Sequence, residues 1–359
     1  MNISRRTRRI TAAVAGAALG IGALSGCAAP AGTDGTDHKL VIASPAPNSL
    51  FTFNESVASS LGFYEEEGIQ VELVAISDAI PVAGLVENGK VDAGLIAASD
   101  ALAAASKTDK LRLPYDERTG GSNFIYGIVV PEESGITDLS ELAGTNIGLA
   151  SPDQDLALLA SALPEVGLTL DDVQTTVVGA GGPSVAESLK SGRISAFVGT
   201  LADFAAFGEA GLEVENIIPE GLQGLPVGGY IVRADALAAN DDLIKFLRAI
   251  AKGTFVALER PEIAALVTQK VDPETWREPE LAEFLLEGLS ETLEPYGADF
   301  GEVKVQRWQD AQDLLVEVGA ITDPSDIDDF LVTDLLAQIN DWDRDEVLAQ
   351  ADAWLEKNR

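Results

Sequence analysis

Thr119–Asp155, TGGSNFIYGIVVPEESGITDLSELAGTNIGLASPDQD, decides the fold of this chain. Its centre, Ile125 to Val130, is aromatic and β-branched and predicts a strand, which Pro131 ends because proline has no amide to give a ladder. Asp138 and Leu139 open a short helical segment closing near Gly144, and Asn146 to Ala150 predicts a second strand. Ser151-Pro152 then starts a helix in the cap-then-proline order that helix N-termini prefer. A new α/β unit begins here, fed by a strand leaving another, as a two-lobed protein with a hinge requires.

Upstream, Lys39–Ala43, Val71–Ile76 and Val91–Ala97 read as strands alternating with helices that run to about Glu67 and from about Ile80 to Asn88. The alternation predicts a mainly parallel sheet covered on both faces, with ligands taken outside the carboxyl ends of the strands. Those ends carry Ser44, Asn48 and Ser49, then Ser77-Asp78, then Ser99-Asp100, each at an expected helix start. Such residues either cap the helix or help its free amides hold a small polar ligand.

Downstream, Val173–Val178 and Ile194–Val198 read as further strands, followed by Gly179–Ser184 (GAGGPS) and Gly199-Thr200. The glycine-rich turn has neither the Gly-Lys-Ser/Thr ending of a phosphate loop nor a dinucleotide spacing, so it is read as a close approach of backbone to a small ligand. Gly228–Val232 reads as a returning strand, and the apolar period of Asp241–Leu258 as a long amphipathic helix broken by Pro261. Core packing is the expectation for Trp276 and Trp308.

The crossover pattern Y-x-hydrophobic-V-V-P-x-x-S-G-I-x-D-L-x-E-L-x-G-x-x-I-G resembles that of extracytoplasmic solute-binding proteins of ABC importers, in the nitrate, sulfonate, taurine and pyrimidine-precursor (thiamine precursor) group. Leu61–Leu73 (LGFYEEEGIQVEL) resembles that group's G-F-F-x-x-E-G-L-x-V-E-L, and Leu85–Ala93 and Leu189–Ala196 resemble its L-x-x-G-x-V-D-A turns. The resemblance implies an α/β, two-lobed periplasmic-binding-protein-like fold of type II, each lobe a mainly parallel sheet flanked by helices, with a two-strand hinge. The expected lobes are 38–125 with 232–359, and 126–231. It also places the second half of a ligand site at Ser151, Asp153, Gln154, Gly181, Gly182, Ser184, Thr200 and Asp203, with Asn123, Phe124, Tyr126 and Tyr230 where a hinge would line the pocket, positions at which aromatics serve as often in the core as on a ligand. The late segment Trp308–Ile321 resembles the family's W-x-x-x-x-x-x-L-x-x-x-G-x-I helix.

The N-terminus joins basic Ser4–Arg9 to an apolar Ile10–Leu24 run, shorter than the roughly 20 residues of a membrane span, and to Leu24-Ser25-Gly26-Cys27. This reads as a signal peptide over 1–26 ending in a lipobox, with Cys27 lipidated and 27–37 a flexible tether. The formal charge is −34, and removing residues 1–26, which hold four arginines and no acids, makes the chain more negative still. Nucleic acid is thereby excluded as a partner. The single cysteine is the lipidation site and the single histidine, His38, borders the tether, so Ser-His or Cys-His catalysis and a His/Cys zinc centre are excluded. The family's pyrimidine synthase uses a histidine of its own chain, and that activity does not carry over. The expected protein is a non-enzymatic monomer needing no cofactor or metal, lipid-anchored on the extracytoplasmic face of the membrane. It would capture a small organic solute or anion between its lobes and present it to an ABC permease. An interaction or sensory lipoprotein on the same fold is the alternative.

Overall fold

The computed structural model describes residues 39–76, 81–118, 126–219, 222, 225–293, 297–317 and 319–359, the side chains at 118, 153, 154 and 157 excepted. The first sheet contains β1 (Lys39–Ser44), β2 (Gln70–Ala75), β3 (Ala93–Ala97) and β4 (Leu111–Arg118), and takes back a strand from late in the chain. The second contains β5 (Tyr126–Pro131), β6 (Asn146–Leu149), β7 (Gln174–Val177), β8 (Ala196–Thr200) and β9 (Val214–Asn216). The returning strand is β10 (Gly228–Arg233).

The order is β2-β1-β3-β10-β4 in one sheet and β7-β6-β8-β5-β9 in the other. β1 pairs parallel with β2 and β3, β6 pairs parallel with β7 and β8, and the strands that enter each sheet from the other, β10 and β5, run antiparallel to their neighbours. Both sheets are therefore mixed but mainly parallel, as expected. The chain leaves sheet 1 after β4 and returns after β9. From His38 onward the chain forms one compact unit holding both sheets.

The helices before the return are α1 (Phe53–Leu61), α2 (Phe63–Glu66), α3 (Val82–Glu87), α4 (Ala98–Ala105), α5 (Pro152–Ala162), α6 (Pro183–Lys190) and α7 (Leu201–Glu209). After it come α8 (Ala234–Ala239), α9 (Asp241–Glu259), α10 (Pro261–Val271), α11 (Pro279–Leu293), α12 (Val305–Glu317), α13 (Ile327–Phe330), α14 (Leu336–Ile339) and α15 (Arg344–Asn358). The helix expected to run unbroken to Glu67 is interrupted at Gly62, whose φ of 83° lies in the left-handed region that glycine enters without a side-chain clash. α9 carries its apolar stripe as its period requires and lies against α1 so closely that a Cβ on Gly253 would sit 2.6 Å from the Asn54 carbonyl oxygen.

The second sheet is apolar on both faces with the two-residue period of a strand. Ile128 and Val130 of β5 join Ala196 and Val198 of β8 on one face, while Val129 and Phe197 face the other way. Two strands, β4 and β9, carry no legible strand pattern in the sequence. β4 carries Pro114 and several charges, and the structure explains its tolerance: it lies at the edge of sheet 1, where a missing amide breaks no interior ladder. That edge is covered by a later segment, with Leu331 bridging Leu113 and the Val332 amide donating to the Leu113 carbonyl at 3.0 Å. β9 has three residues, too few to show a period.

Trp308 is fully buried and donates its indole N–H to Asp116 at 2.9 Å, and Trp276 donates to Thr268 at 3.0 Å while packing on the core. Both serve packing. No helix among the described residues is long and apolar enough to cross a membrane.

Candidate functional site

A cavity of about 860 Å³ opens at the carboxyl end of sheet 1. Pro45 and Ala46 after β1, Ile76 after β2, Ala97 ending β3, Glu117 near the end of β4 and Val227-Gly228 entering antiparallel β10 all reach it, because every one lies at the same end of the sheet. Phe51 and Thr52, from a single 3-10 turn, and Leu289 of α11 complete this part. Its size suits a drug-sized solute and its lining is predominantly apolar, as ligand clefts are.

The polar groups of the cavity are few and held in place. Glu117 is a buried carboxylate that accepts from Asn54 Nδ2 at 3.1 Å, and Asn54 also donates to Thr254 Oγ1 at 3.3 Å, which ties the cavity wall to α1 and α9. Thr52 Oγ1 and Ser49 Oγ both donate to the Ala46 carbonyl at 2.6 Å, and Asp272 accepts from the Leu50 amide at 3.0 Å, which pins the loop after β1. At the far end Glu87 takes Lys110 and Thr108, and the Lys110 hydrogen bond, seconded by that of Thr108, holds its carboxyl below the ordinary range.

The corresponding end of sheet 2 is organised by two buried aspartates. Asp155 accepts from the Tyr126 hydroxyl and, at 2.7 Å, from the Ser151 amide. Asp203 accepts from the Gly181 amide at 2.5 Å, the Thr200 amide at 2.7 Å and Thr200 Oγ1 at 2.8 Å. A Cβ on Gly181 would lie 2.6 Å from the Asp203 backbone, so glycine is what lets the GAGGPS turn reach α7. Burial first, and then the Asp155 hydrogen bond, raises the Tyr126 pKa far above that of a free phenol.

Of the residues read as site candidates, Tyr126, Ser151, Gly181, Thr200 and Asp203 are brought together at this end of sheet 2. Asp203 is a cap and a brace, holding Thr200 at the start of its own helix and Gly181 in the turn before α6. Gly182 is the N-cap of α6 and Ser184 is exposed in its first turn, while Asp153 and Gln154 fall in the first turn of α5. In sheet 1, Asp100 lines the cavity and Ser99 is exposed beside it, but both sit inside the first turn of α4, whose N-cap is Ala97. Asn48 is exposed with a φ of 57°, and Ser49 caps the 3-10 turn by accepting from the Phe51 amide at 3.2 Å.

Two expectations are corrected. Ser44 and Tyr230 do not face a cleft: both are fully buried and donate to the two oxygens of Glu55, at 2.9 and 2.7 Å. The period of β1 and β10 turns them inward. Ser77, Asp78, Asn123, Phe124 and Cys27 lie outside the described residues. Glu117, Thr52, Gly228 and, Asp100 apart, the facing sides of α3 and α4 are not legible in the sequence, because β4 lacks a strand pattern and alanines at helical spacing look like core. Among the described residues no group of three or more His, Cys, Asp or Glu is placed to hold a metal ion.

Two mixed sheets in one chain, crossed twice, with a cavity at the strand ends of the first, define the periplasmic-binding-protein fold. Solved structures agree. The periplasmic aliphatic sulphonate binding protein SsuA from Escherichia coli superposes with a TM-score of 0.62 at 19% identity, over 82% of this chain and 92% of that one. A putative periplasmic sulfonate-binding protein SsuA from Methylobacillus flagellatus KT gives 0.60 at 19% identity, over 84% and 93%. Residues 53–264 match the NMT1/THI5 like family model, more than half of the chain, and the chain belongs to that family. A curated relative, 4-amino-5-hydroxymethyl-2-methylpyrimidine phosphate synthase of Aspergillus parasiticus, is 27% identical over 228 residues, 58% of this chain and 63% of that protein. The chain thus spans less than two thirds of that relative's length.

Proposed function

We propose that this protein is the solute-binding component of an ABC importer, held by a lipid on Cys27 at the extracytoplasmic face of the membrane, that captures a small organic solute between two lobes and delivers it to a permease. The observation that carries the reading is the cavity of about 860 Å³ at the carboxyl ends of the sheet 1 strands. The sulfonate-binding proteins that share the fold support the same class of function. Closure follows when solute touches both lobes, since only contacts made in the closed form shift the population. The basic Ser4–Arg9, the apolar Ile10–Leu24 and the Leu24-Ser25-Gly26-Cys27 sequence support the anchor, and the charge of −34 supports a protein surface that does not itself adhere to anionic lipid.

A synthase is the second reading, favoured by the curated relative. We rank it lower because the chain's single histidine, His38, precedes β1 and the cavity has none. The two readings part in one experiment. Purified protein is screened by thermal shift against sulfonates, nitrate, pyrimidines and amino acids, and each hit is incubated and analysed for turnover. A solute at about 100 times its Kd adds roughly 2.7 kcal/mol of stability, and an importer component returns it unchanged. A well-folded sample that no solute stabilises overturns the reading.

A further inference from the structure

The cavity does not stop at the strand ends. It continues between α3 and α4 over the face of sheet 1, and the residues facing it from the α4 side are Asp100, Ala103, Ala104 and Lys107. That is the i, i+3, i+4, i+7 spacing of one helical stripe, with the turn after α4 prolonged by the Lys107 amide donating to the Ala104 carbonyl. The opposite stripe, Ala98, Ala101, Leu102 and Ala105, is buried in the core. From α3 the wall is Val82, Ala83, Gly84 and Glu87. Ile96 and Leu111 form the floor.

The channel is therefore two helical turns long, about 10 Å from Asp100 to Lys107 at the helical rise per residue. Between its ends the facing residues include Ala83 and Gly84 on one wall and Ala103 and Ala104 on the other, small side chains that leave the space between the helices open. Apolar between its ends, it becomes polar at its limits: Glu117, Thr52 and Asp100 at the strand termini, Lys107, Thr108 and the Glu87–Lys110 pair at the far side. A compact solute such as nitrate would occupy the strand termini and leave this apolar surface in water.

We propose that the captured solute is elongated and amphipathic, with a small polar end beside Glu117 and Thr52 and an unbranched apolar tail lying between α3 and α4. This rests on the solute-capture reading, and it names the class of solute by length and polarity rather than by charge.

The test is calorimetric titration of the full protein with n-alkylamines, n-alkanesulfonates and n-alkanols of two to eight carbons. In the series that binds, Kd falls about fourfold per methylene, the fold-change equivalent of roughly 0.8 kcal/mol for each buried CH2. Ala104→Phe on one wall and Ala83→Phe on the other flatten that slope while the two-carbon member binds as before, and either variant suffices should the other fail to fold. A slope below about 1.5-fold per methylene in the unaltered protein overturns the proposal, as does a slope that survives both wall variants. Should compact solutes from the wider screen bind while none of the three series does, solute capture stands and the tail channel falls; should nothing bind at all, both fall together.

Discussion

Tyr230 of the returning strand donates its hydroxyl to Glu55 of α1 at 2.7 Å, and Ser44 of β1 donates to the other oxygen of the same carboxylate at 2.9 Å. Glu55 is fully buried, so these bonds join the first strand, the first helix and the last strand of sheet 1 through one carboxyl group. Removing a donor leaves a buried acceptor poorer by one bond, which costs about 1–3 kcal/mol. Tyr230→Phe is expected to lower the urea midpoint by that amount at unchanged m-value, and Ser44→Ala by a similar amount. A change under about 0.5 kcal/mol in both would show that Glu55 is held by other means.

The tyrosines set the alkaline limit. Burial is the largest cause raising the pKa of Tyr64, Tyr115, Tyr126 and Tyr230, with nearby Glu55 adding to it for Tyr64 and Tyr230, Glu117 for Tyr115, and the Asp155 hydrogen bond for Tyr126. Each stays neutral when folded at a pH where the unfolded phenol, near pKa 10, has ionised. Their stabilising contribution is thus complete below about pH 10 and is lost as pH rises from there toward the folded values. Absorbance at 295 nm should show these four of the chain's five tyrosines ionising only together with unfolding. A reversible native titration of four phenols near pH 10 would contradict this.

Lys252 of α9 is 4% exposed and bonds Glu66 at 2.7 Å and Glu67 at 2.8 Å, with Arg248 also on Glu67 at 2.8 Å. Deleting one member of a buried pair costs more than replacing both, because the remaining charge stays desolvated. Lys252→Met should therefore cost about 3 kcal/mol, and Lys252→Met with Glu67→Leu should recover part of it. Measured stabilities of Lys252→Met, Glu67→Leu and the double variant settle the sign of the coupling.

Asp203 holds the GAGGPS turn and the start of α7 with the same two oxygens. Asp203→Ala is expected to cost about 1–2 kcal/mol as a lost cap and to weaken solute binding by freeing the turn that carries Gly181. Gly181→Ala should do the same through its clash with the Asp203 backbone. Should either leave both stability and affinity unchanged, this end of sheet 2 plays no part in the site.

The strands of both sheets, apart from β4 and β9, were legible from runs such as Ile128–Val130 and Ala196–Val198, where β-branched and aromatic residues alternate between faces. Ser151-Pro152 announced α5 by its cap-then-proline order, and Gly62 hid a break. The site was less legible for a definite reason. The loops were found, but within SPAPNSL the cavity takes Pro45 and Ala46 rather than the serines, which are consumed by caps and by Glu55.

Local pattern suffices for elements, because a strand's period and a helix's cap are properties of neighbours in the chain. From these alone the sequence determined an α/β protein with two mainly parallel sheets crossed by the chain. Which polar groups face solvent and which are spent inside depends on partners far away in sequence: Tyr230 on Glu55, Trp308 on Asp116, Asn54 on Glu117. The channel between α3 and α4 depends likewise on how closely two helices approach over a sheet. Only tertiary packing decides those distances, since they follow from the sum of side-chain volumes across elements and not from any one stretch of the chain.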